Sequence, residues 1–94
     1  MKIVKKEPGK GFKLKEIPNT LEAMQAEAGD YIETVRIDST CCIVCNEEGR
    51  IKGMPHNTRL GGVDFVGPIF IVGTKDDEFC DVPDLIQFLT GVKA

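Results

Sequence analysis

Short stretches of alternating apolar and polar residues, bounded by glycine, proline or polar runs, cover most of the 94-residue chain. Such alternation is typical of half-buried strands. It predicts strands at residues 3–6, around Phe12 and Leu14, and at 31–37, 41–45, 50–53, 63–66 and 69–72. The first two should form a hairpin, and so should the fourth and fifth. The last two form one apolar run, which predicts a buried strand bent at Gly67-Pro68, while residues 54–62 are predicted to be irregular.

Residues 20–28 carry apolar side chains at helical spacing instead. Asn19 is the expected N-cap, and Glu22, three residues later, would complete a capping box. Gly29 suits the C-terminal end, because glycine readily adopts the positive φ that often follows the last helical turn. The sequence therefore predicts a helix over 20–28.

A second, shorter helix is predicted between Pro83 and Gly91. Proline is favoured at the start of a helix and glycine just past its end. Leu85, Phe88 and Leu89 recur at helical spacing and are predicted to face inward.

These elements predict one domain over residues 1–94. Its fold class is α+β, with a small, mostly antiparallel sheet, one helix in the N-terminal half and one short C-terminal helix. A chain of this length is about one domain long and can bury one core. That core is predicted to contain Leu21, Met24, Phe70, Val72, Leu85 and Phe88.

The formal net charge of −3 hides an uneven distribution. Residues 1–16 hold six lysines and two glutamates, a balance of +4, and the remainder holds six basic and 13 acidic residues, a balance of −7. Two interpretations are open: a dipolar surface that steers a charged partner, or solvated lysines that guard a sheet edge. The net negative charge and the lack of interleaved aromatic residues argue against nucleic acid as a partner.

Neither an export signal nor an apolar run of membrane-spanning length is visible, so we expect a cytoplasmic protein that does not enter a membrane. Thiols in that compartment are usually reduced. The expectation of free thiols applies to Cys41, Cys42, Cys45 and Cys80.

Cys42 and Cys45 have C-x-x-C spacing, and His56 with Cys80 could complete four zinc ligands. Residues three apart on a strand point to opposite faces, however, and Ile43-Val44 favours a strand over a metal-binding turn. We therefore expect buried structural thiols, no metal and no cofactor. A nucleophile pair of His56 with Cys45 or Cys80 is the remaining alternative, but the single histidine has no evident orienting partner, so no catalytic residue is predicted.

One polar segment between the predicted strands combines an imidazole, an amide, a guanidinium and two glycines whose backbone N–H groups could approach a ligand. These groups are suited to holding an anion or a nucleotide phosphate. The candidate ligand-binding residues are His56, Asn57, Arg59, Gly61 and Gly62. The alternative is an ordinary loop that uses Asn57 and the glycines for turn geometry.

The chain resembles a family of small domains found in phages, plasmids and conjugative elements, known as domain of unknown function 3846. The stretches that carry the resemblance are residues 7–10, 19–25, 29–33, 45–49, 53–57 and 67–73. They occur in order and span nearly the whole chain. The resemblance implies a mobile element in a bacterial host and an accessory or anti-defence role, without a catalytic residue that could be transferred.

Two functions from different classes follow. The first is a non-enzymatic interaction protein that binds a host or defence protein through charged or edge-strand surfaces. The alternative is a small-molecule binder that sequesters a nucleotide or another anion at residues 56–62. An enzyme ranks below both, since no acid, base or nucleophile constellation is present. Association of identical copies stays open.

Overall fold

The computed structural model describes residues 1–92 and confirms a small α+β fold in which every strand pairing is antiparallel. The strands are β1 (Lys2–Lys6), β2 (Lys13–Glu16), β3 (Ile32–Arg36), β4 (Cys41–Asn46), β5 (His56–Leu60), β6 (Val63–Val66), β7 (Ile69–Lys75) and β8 (Glu78–Cys80). The helices are α1 (Leu21–Ala28) and α2 (Asp84–Thr90). Neither is long and apolar enough to cross a membrane.

The main sheet has the order β2-β1-β7-β4-β3, with β7 at its centre. β1 pairs with the first part of β7, where Val4 lies opposite Ile71. β8 pairs with the last part of β7, where Cys80 lies opposite Gly73. β5 and β6 form a separate two-stranded sheet. The predicted first hairpin, β1–β2, is confirmed.

Both faces of the main sheet are covered, because side chains alternate between the faces along each strand. The α1 face packs against helix α1, and its buried cluster contains Ile3, Ile17, Met24, Ala28, Cys42, Val44, Phe70 and Val72. The hairpin face is covered by the β5–β6 hairpin and α2, and its buried cluster contains Val4, Cys41, Ile43, Cys45, Phe65, Ile69, Ile71 and Val82. The result is a three-layer arrangement with two cores.

Helix α1 begins one residue later than predicted. Its N-cap is Thr20, whose hydroxyl accepts a hydrogen bond from the Ala23 N–H at 3.1 Å. Asn19, the predicted cap, instead donates its side-chain amide to the Phe79 carbonyl at 3.0 Å and so ties the helix entry to β8. The predicted end at Gly29 is confirmed, with φ at 121°.

A cluster of charges joins α1 to the sheet. The Glu27 carboxylate accepts bonds of 2.8 Å from both Lys5 and Lys15. Burial alone would raise the pKa of Glu27, but the hydrogen bonds and the positive charges of Lys15 and Lys5 together outweigh burial and leave the pKa below its usual value. Two lysines of the basic N-terminal segment therefore act inside the fold.

The predicted strand at 50–53 is wrong, as is the irregular stretch at 54–62. Residues 47–53 form consecutive turns, in which the Lys52 N–H bonds to the Glu48 carbonyl at 2.9 Å. β4 pairs instead with β3 on one side and β7 on the other, so the predicted hairpin of strands 41–45 and 50–53 does not form. The polar segment after the turns forms β5, which pairs with β6 and turns the hydrogen-bonded Asn57 towards the main sheet.

The apolar run at 63–72 does break at Gly67, but the break separates two sheets rather than bending one strand. Gly67 has φ at 70°, and a side chain there would overlap Met54. β6 belongs to the hairpin, and only β7, which is buried from Ile69 to Gly73, lies at the centre of the main sheet.

Helix α2 ends at Gly91 as predicted, with φ at 77°, but it presents the opposite side to the core. Leu85, Phe88 and Leu89 are 64%, 79% and 67% exposed, so their predicted inward orientation is wrong. The buried residue is Gln87, whose amide donates to the Val82 carbonyl at 3.3 Å.

The predicted core is therefore correct for half of its members. Met24, Phe70 and Val72 are buried together in the α1-face cluster. Leu21 is 54% exposed at the start of α1, and Leu85 and Phe88 lie on the outer side of α2. Apolar spacing identified the stripe on each helix, but it does not indicate which side of a two-turn helix meets the sheet.

Candidate functional site

Asn57 fixes the β5–β6 hairpin to the main sheet. Its side-chain amide donates to the Lys6 carbonyl at 2.8 Å and to the Gly67 carbonyl at 2.7 Å, and its oxygen accepts from the Lys6 ammonium at 2.9 Å. A shift in strand register at this residue turns its side chain inward. Asn57 is thus buried and fully engaged by the chain itself.

His56 and Arg59 lie together on the exposed side of the hairpin, around the Asp64 carboxylate. The Arg59 guanidinium is 2.8 Å from one Asp64 oxygen, and the His56 ring is 3.3 Å from the other. Gly61 and Gly62 form the tip, with φ at 57° and 78°. Two consecutive positive φ values are what a tight two-residue hairpin turn requires.

The five predicted ligand-binding residues therefore share one hairpin but do not converge on one point. An anion that reached Arg59 would compete with the Asp64 carboxylate. Anion binding at this hairpin stays a prediction.

All four cysteines are free thiols, and Cys42 and Cys45 point to opposite faces of the sheet. Burial raises the pKa of Cys41 and of Cys42. Burial, with the neighbouring Glu33 carboxylate, raises the pKa of Cys45 to about 11. A thiol with a raised pKa is protonated at neutral pH and is a poor nucleophile or metal ligand. Within residues 1–92, no group of three or more His, Cys, Asp or Glu side chains could hold a metal ion.

An apolar groove of about 370 Å³ opens on the hairpin face between the sheet, the hairpin and α2. Its floor comes from three strands, its walls from the hairpin and from α2, and one end from the turn before β2. The apolar side chains that line it are Phe12, Val35, Ile37, Ile43, Leu60, Val63, Ile71, Ile86 and Leu89. We call this feature the apolar groove.

The outer side of α2 borders the apolar groove. Leu89 lines the groove and is itself exposed, and Leu85 and Phe88 continue the apolar surface along the helix. Large apolar side chains grouped in this way on a small domain are typical of an interaction site.

A second depression of about 160 Å³ continues the apolar groove towards the start of β3. The two share Val35 and Val63. The second depression carries charged side chains, from Glu33, Glu47, Arg50 and Asp64. We call it the polar groove, and together the two grooves run along β3.

β3 forms the edge of the sheet on this side. It pairs with β4, and no strand within residues 1–92 pairs with its other edge. The Glu47 N–H bonds to the Tyr31 carbonyl, and the Ile37 N–H bonds to the Cys41 carbonyl. Because inward and outward backbone groups alternate in an antiparallel ladder, the N–H and C=O groups of residues 32, 34 and 36 point outward. We call these groups the β3 edge.

Sequence reasoning identified edge strands in general as partner surfaces but did not find the grooves. The signal that could have indicated them was the apolar spacing of Leu85, Phe88 and Leu89, which was assigned to the core. The groove floor could not be found from sequence, since it depends on the pairing of β3, β4 and β7.

The fold and the groove define a small three-layer α+β domain with a central antiparallel sheet whose edge strand β3 runs beside the groove. The chain belongs to the family described as Domain of unknown function (DUF3846), whose model matches residues 1–92. The resemblance noted from the sequence is thereby confirmed. Comparison with curated proteins and with solved structures finds no match.

Proposed function

We propose that this domain is a non-enzymatic interaction protein that binds another protein in the apolar groove and on the adjoining side of α2. One observation carries the proposal: Leu85, Phe88 and Leu89 are large, largely exposed apolar side chains beside an apolar groove. In the mobile-element setting implied by the family resemblance, the bound protein is a component of the host or of its defence systems.

The energetics of burial favour this use of the surface. Covering a leucine or phenylalanine side chain fully contributes about 1.5–3 kcal/mol relative to leaving it in water. Three such residues together contribute about 4.5–9 kcal/mol, which is comparable to the entropic cost of association, so the other contacts along the groove supply the net affinity. Aromatic residues such as Phe88 are also enriched at the centres of interfaces.

A non-enzymatic role is supported by the chemistry of the groove. Its lining is mostly aliphatic, with Arg36 as the charged exception. The pKa values of Cys41 and Cys45, on the same face of the sheet, are raised, which disfavours a thiolate nucleophile.

The test compares three versions of the protein as bait in lysate of the host bacterium: the unmodified chain, Leu89→Lys and Leu21→Lys. Leu21 is a matched control, because it is also an exposed leucine on a helix but lies on the α1 side. We expect quantitative mass spectrometry to find a protein that is retained by the unmodified chain and by Leu21→Lys and lost with Leu89→Lys. Equal retention by all three, or no specific retention, would overturn the proposal.

A further inference from the structure

The β3 edge lies directly beside both grooves. We propose that the partner binds there as an added antiparallel strand, with an apolar side chain in the apolar groove and a basic side chain in the polar groove. This proposal rests on the proposed function and specifies the chemistry of the segment that the groove accepts.

The backbone requirement for strand addition is met at the β3 edge. The N–H and C=O groups of residues 32, 34 and 36 point away from β4, in the positions that a further strand would use. An extended segment paired there gains main-chain hydrogen bonds whatever its sequence, while pockets for alternate side chains set the specificity. Every pairing already present in this sheet is antiparallel, which favours the same direction for the added strand.

Alternation of side chains then determines which residues of the segment reach the grooves. On β3, Glu33 and Val35 share the hairpin face, since they lie opposite Cys45 and Ile43 of its buried cluster. Ile37 continues that face and lines the apolar groove. Residues of the added strand opposite these three positions would project on the same face, two positions apart.

Charge identifies the residue expected opposite Glu33. The polar groove holds the carboxylates of Glu33, Glu47 and Asp64 against the single guanidinium of Arg50. Arg59 already pairs with the Asp64 carboxylate. Among residues 1–92, neither Glu33 nor Glu47 forms an ion pair, so a lysine or arginine on the added strand would find two carboxylates.

The same alternation argues against a second copy of this chain as the added strand. Outward-pointing residues must face each other in the new ladder, so two β3 strands can meet with Thr34 opposite Thr34, Ile32 opposite Thr34, or Thr34 opposite Arg36. On the hairpin face, the first register places Glu33 opposite Val35 of the other copy. The second places it opposite Glu33, and the third places it opposite Ile37. None of them brings a cation to Glu33, and one places two like charges opposite each other.

The experiment is a selection of seven-residue peptides from a random display library on the unmodified protein, followed by affinity measurement on variants. In an antiparallel strand the residue opposite Glu33 follows those opposite Val35 and Ile37. We therefore expect enrichment of lysine or arginine with an apolar residue two positions before it. A second apolar residue, two positions before the first, would lie opposite Ile37. On Glu33→Lys, the same selection should yield aspartate or glutamate at the basic position.

Two further measurements test the backbone bonds. Thr34→Pro removes an N–H that no described strand uses, and Thr34→Val keeps it, so the first should weaken peptide binding tenfold or more and the second should not. N-methylation of the peptide residue opposite Thr34 tests the same ladder without altering the protein, should Thr34→Pro fail to fold.

The outcomes separate this proposal from the one on which it rests. Peptides that lose affinity for Leu89→Lys but bind equally to Thr34→Pro and after N-methylation would show that the groove binds partners without an added strand. Peptides indifferent to Leu89→Lys would overturn both proposals. Enrichment without the basic residue, or dimerisation of the free protein that Thr34→Pro abolishes, would overturn the strand proposal.

Discussion

The Asn57 amide lies at the buried end of the hairpin, where it bonds to backbone carbonyls of two other segments. From the sequence, an amide in a polar segment predicts a ligand contact as readily as a structural bond. The difference depends on which carbonyls lie near it in space, and those belong to Lys6 and Gly67. Local sequence carries no information about that proximity.

Replacing Asn57 by alanine should lower the free energy of unfolding by about 1–3 kcal/mol, because two carbonyls and the Lys6 ammonium lose a partner at a largely buried position. The midpoint of urea unfolding measures the change. Asn19→Ala is the control, since it removes one exposed hydrogen bond and should have a smaller effect. Equal losses for the two variants would contradict the structural role of Asn57.

Arg59 provides the test of the anion hypothesis. If a phosphate binds at the hairpin, Arg59→Ala should weaken binding about tenfold or more, since a charge-assisted hydrogen bond is worth roughly 1.5–3 kcal/mol. Thermal stability should change little, because the Arg59–Asp64 pair is exposed. A thermal-shift screen of nucleotides on the unmodified chain comes first. If none raises the melting temperature at millimolar concentration, nucleotide binding should be abandoned.

The Cys45 thiol should make stability depend on pH in the alkaline range. Its pKa is raised from 9.0 to about 11 in the folded chain, by burial and by Glu33. The folded state therefore holds the proton more tightly than the unfolded state, and the stabilisation is present below pH 9.0 and lost as pH rises through about 11. Urea unfolding at a series of pH values should show this fall, and Cys45→Ala should reduce its slope. An unchanged slope in the variant would mean that other groups cause it.

At the scale of elements, the central strand and the C-terminal helix make opposite use of phenylalanine. Phe70 of β7 is fully buried, whereas Phe88 of α2 is among the most exposed apolar residues. Phe70→Ala should therefore destabilise the domain by roughly 3–5 kcal/mol, and Phe88→Ala should leave the unfolding midpoint nearly unchanged. Chemical denaturation of the two variants side by side checks this contrast. Comparable destabilisation would mean that α2 packs by its other side.

The elements that the sequence predicted best are those whose own pattern determines them. The β1–β2 hairpin, α1 and the buried strand at 69–72 each combine periodicity with a turn or cap signal. β5 is not predicted from the sequence, because its residues are polar and because the apolar run at 63–72 joins its partner, β6, to the following strand. The apolar groove is not predicted either, because it is formed by elements that are distant in sequence. The packing of α2 against these elements also determines which side of the helix faces outward.

For the whole molecule, the arrangement of the thiols leads to a prediction about metal and redox state. Cys42 and Cys45 lie on opposite faces, so they cannot chelate one ion together without breaking β4. We expect elemental analysis of protein purified without added metal to find well under one zinc per chain. Neither chelator nor reductant should change the unfolding midpoint. One zinc per chain, or loss of folding with either reagent, would contradict this.

The uneven charge along the sequence is partly neutralised by the fold. Lys5 and Lys15 both pair with the carboxylate of Glu27, which belongs to the acidic remainder of the chain. The Asp81 carboxylate, from the acidic stretch, accepts the backbone N–H of Lys2. The apparent dipole of the sequence is therefore smaller on the folded surface than a count of residues suggests.

The position of β7 also constrains how the chain can fold as it is synthesised. β1 is translated well before its inner partner β7, where Val4 meets Ile71. Val82, two positions after β8, then closes beside β1 through the bond from its N–H to the Lys2 carbonyl. On the ribosome, β1 and β4 must wait for the strand that lies between them, which is translated near the end of the described chain. Such long-range pairing slows folding. Until β7 emerges, the apolar strands and thiols of this small domain stay exposed to chaperones and proteases.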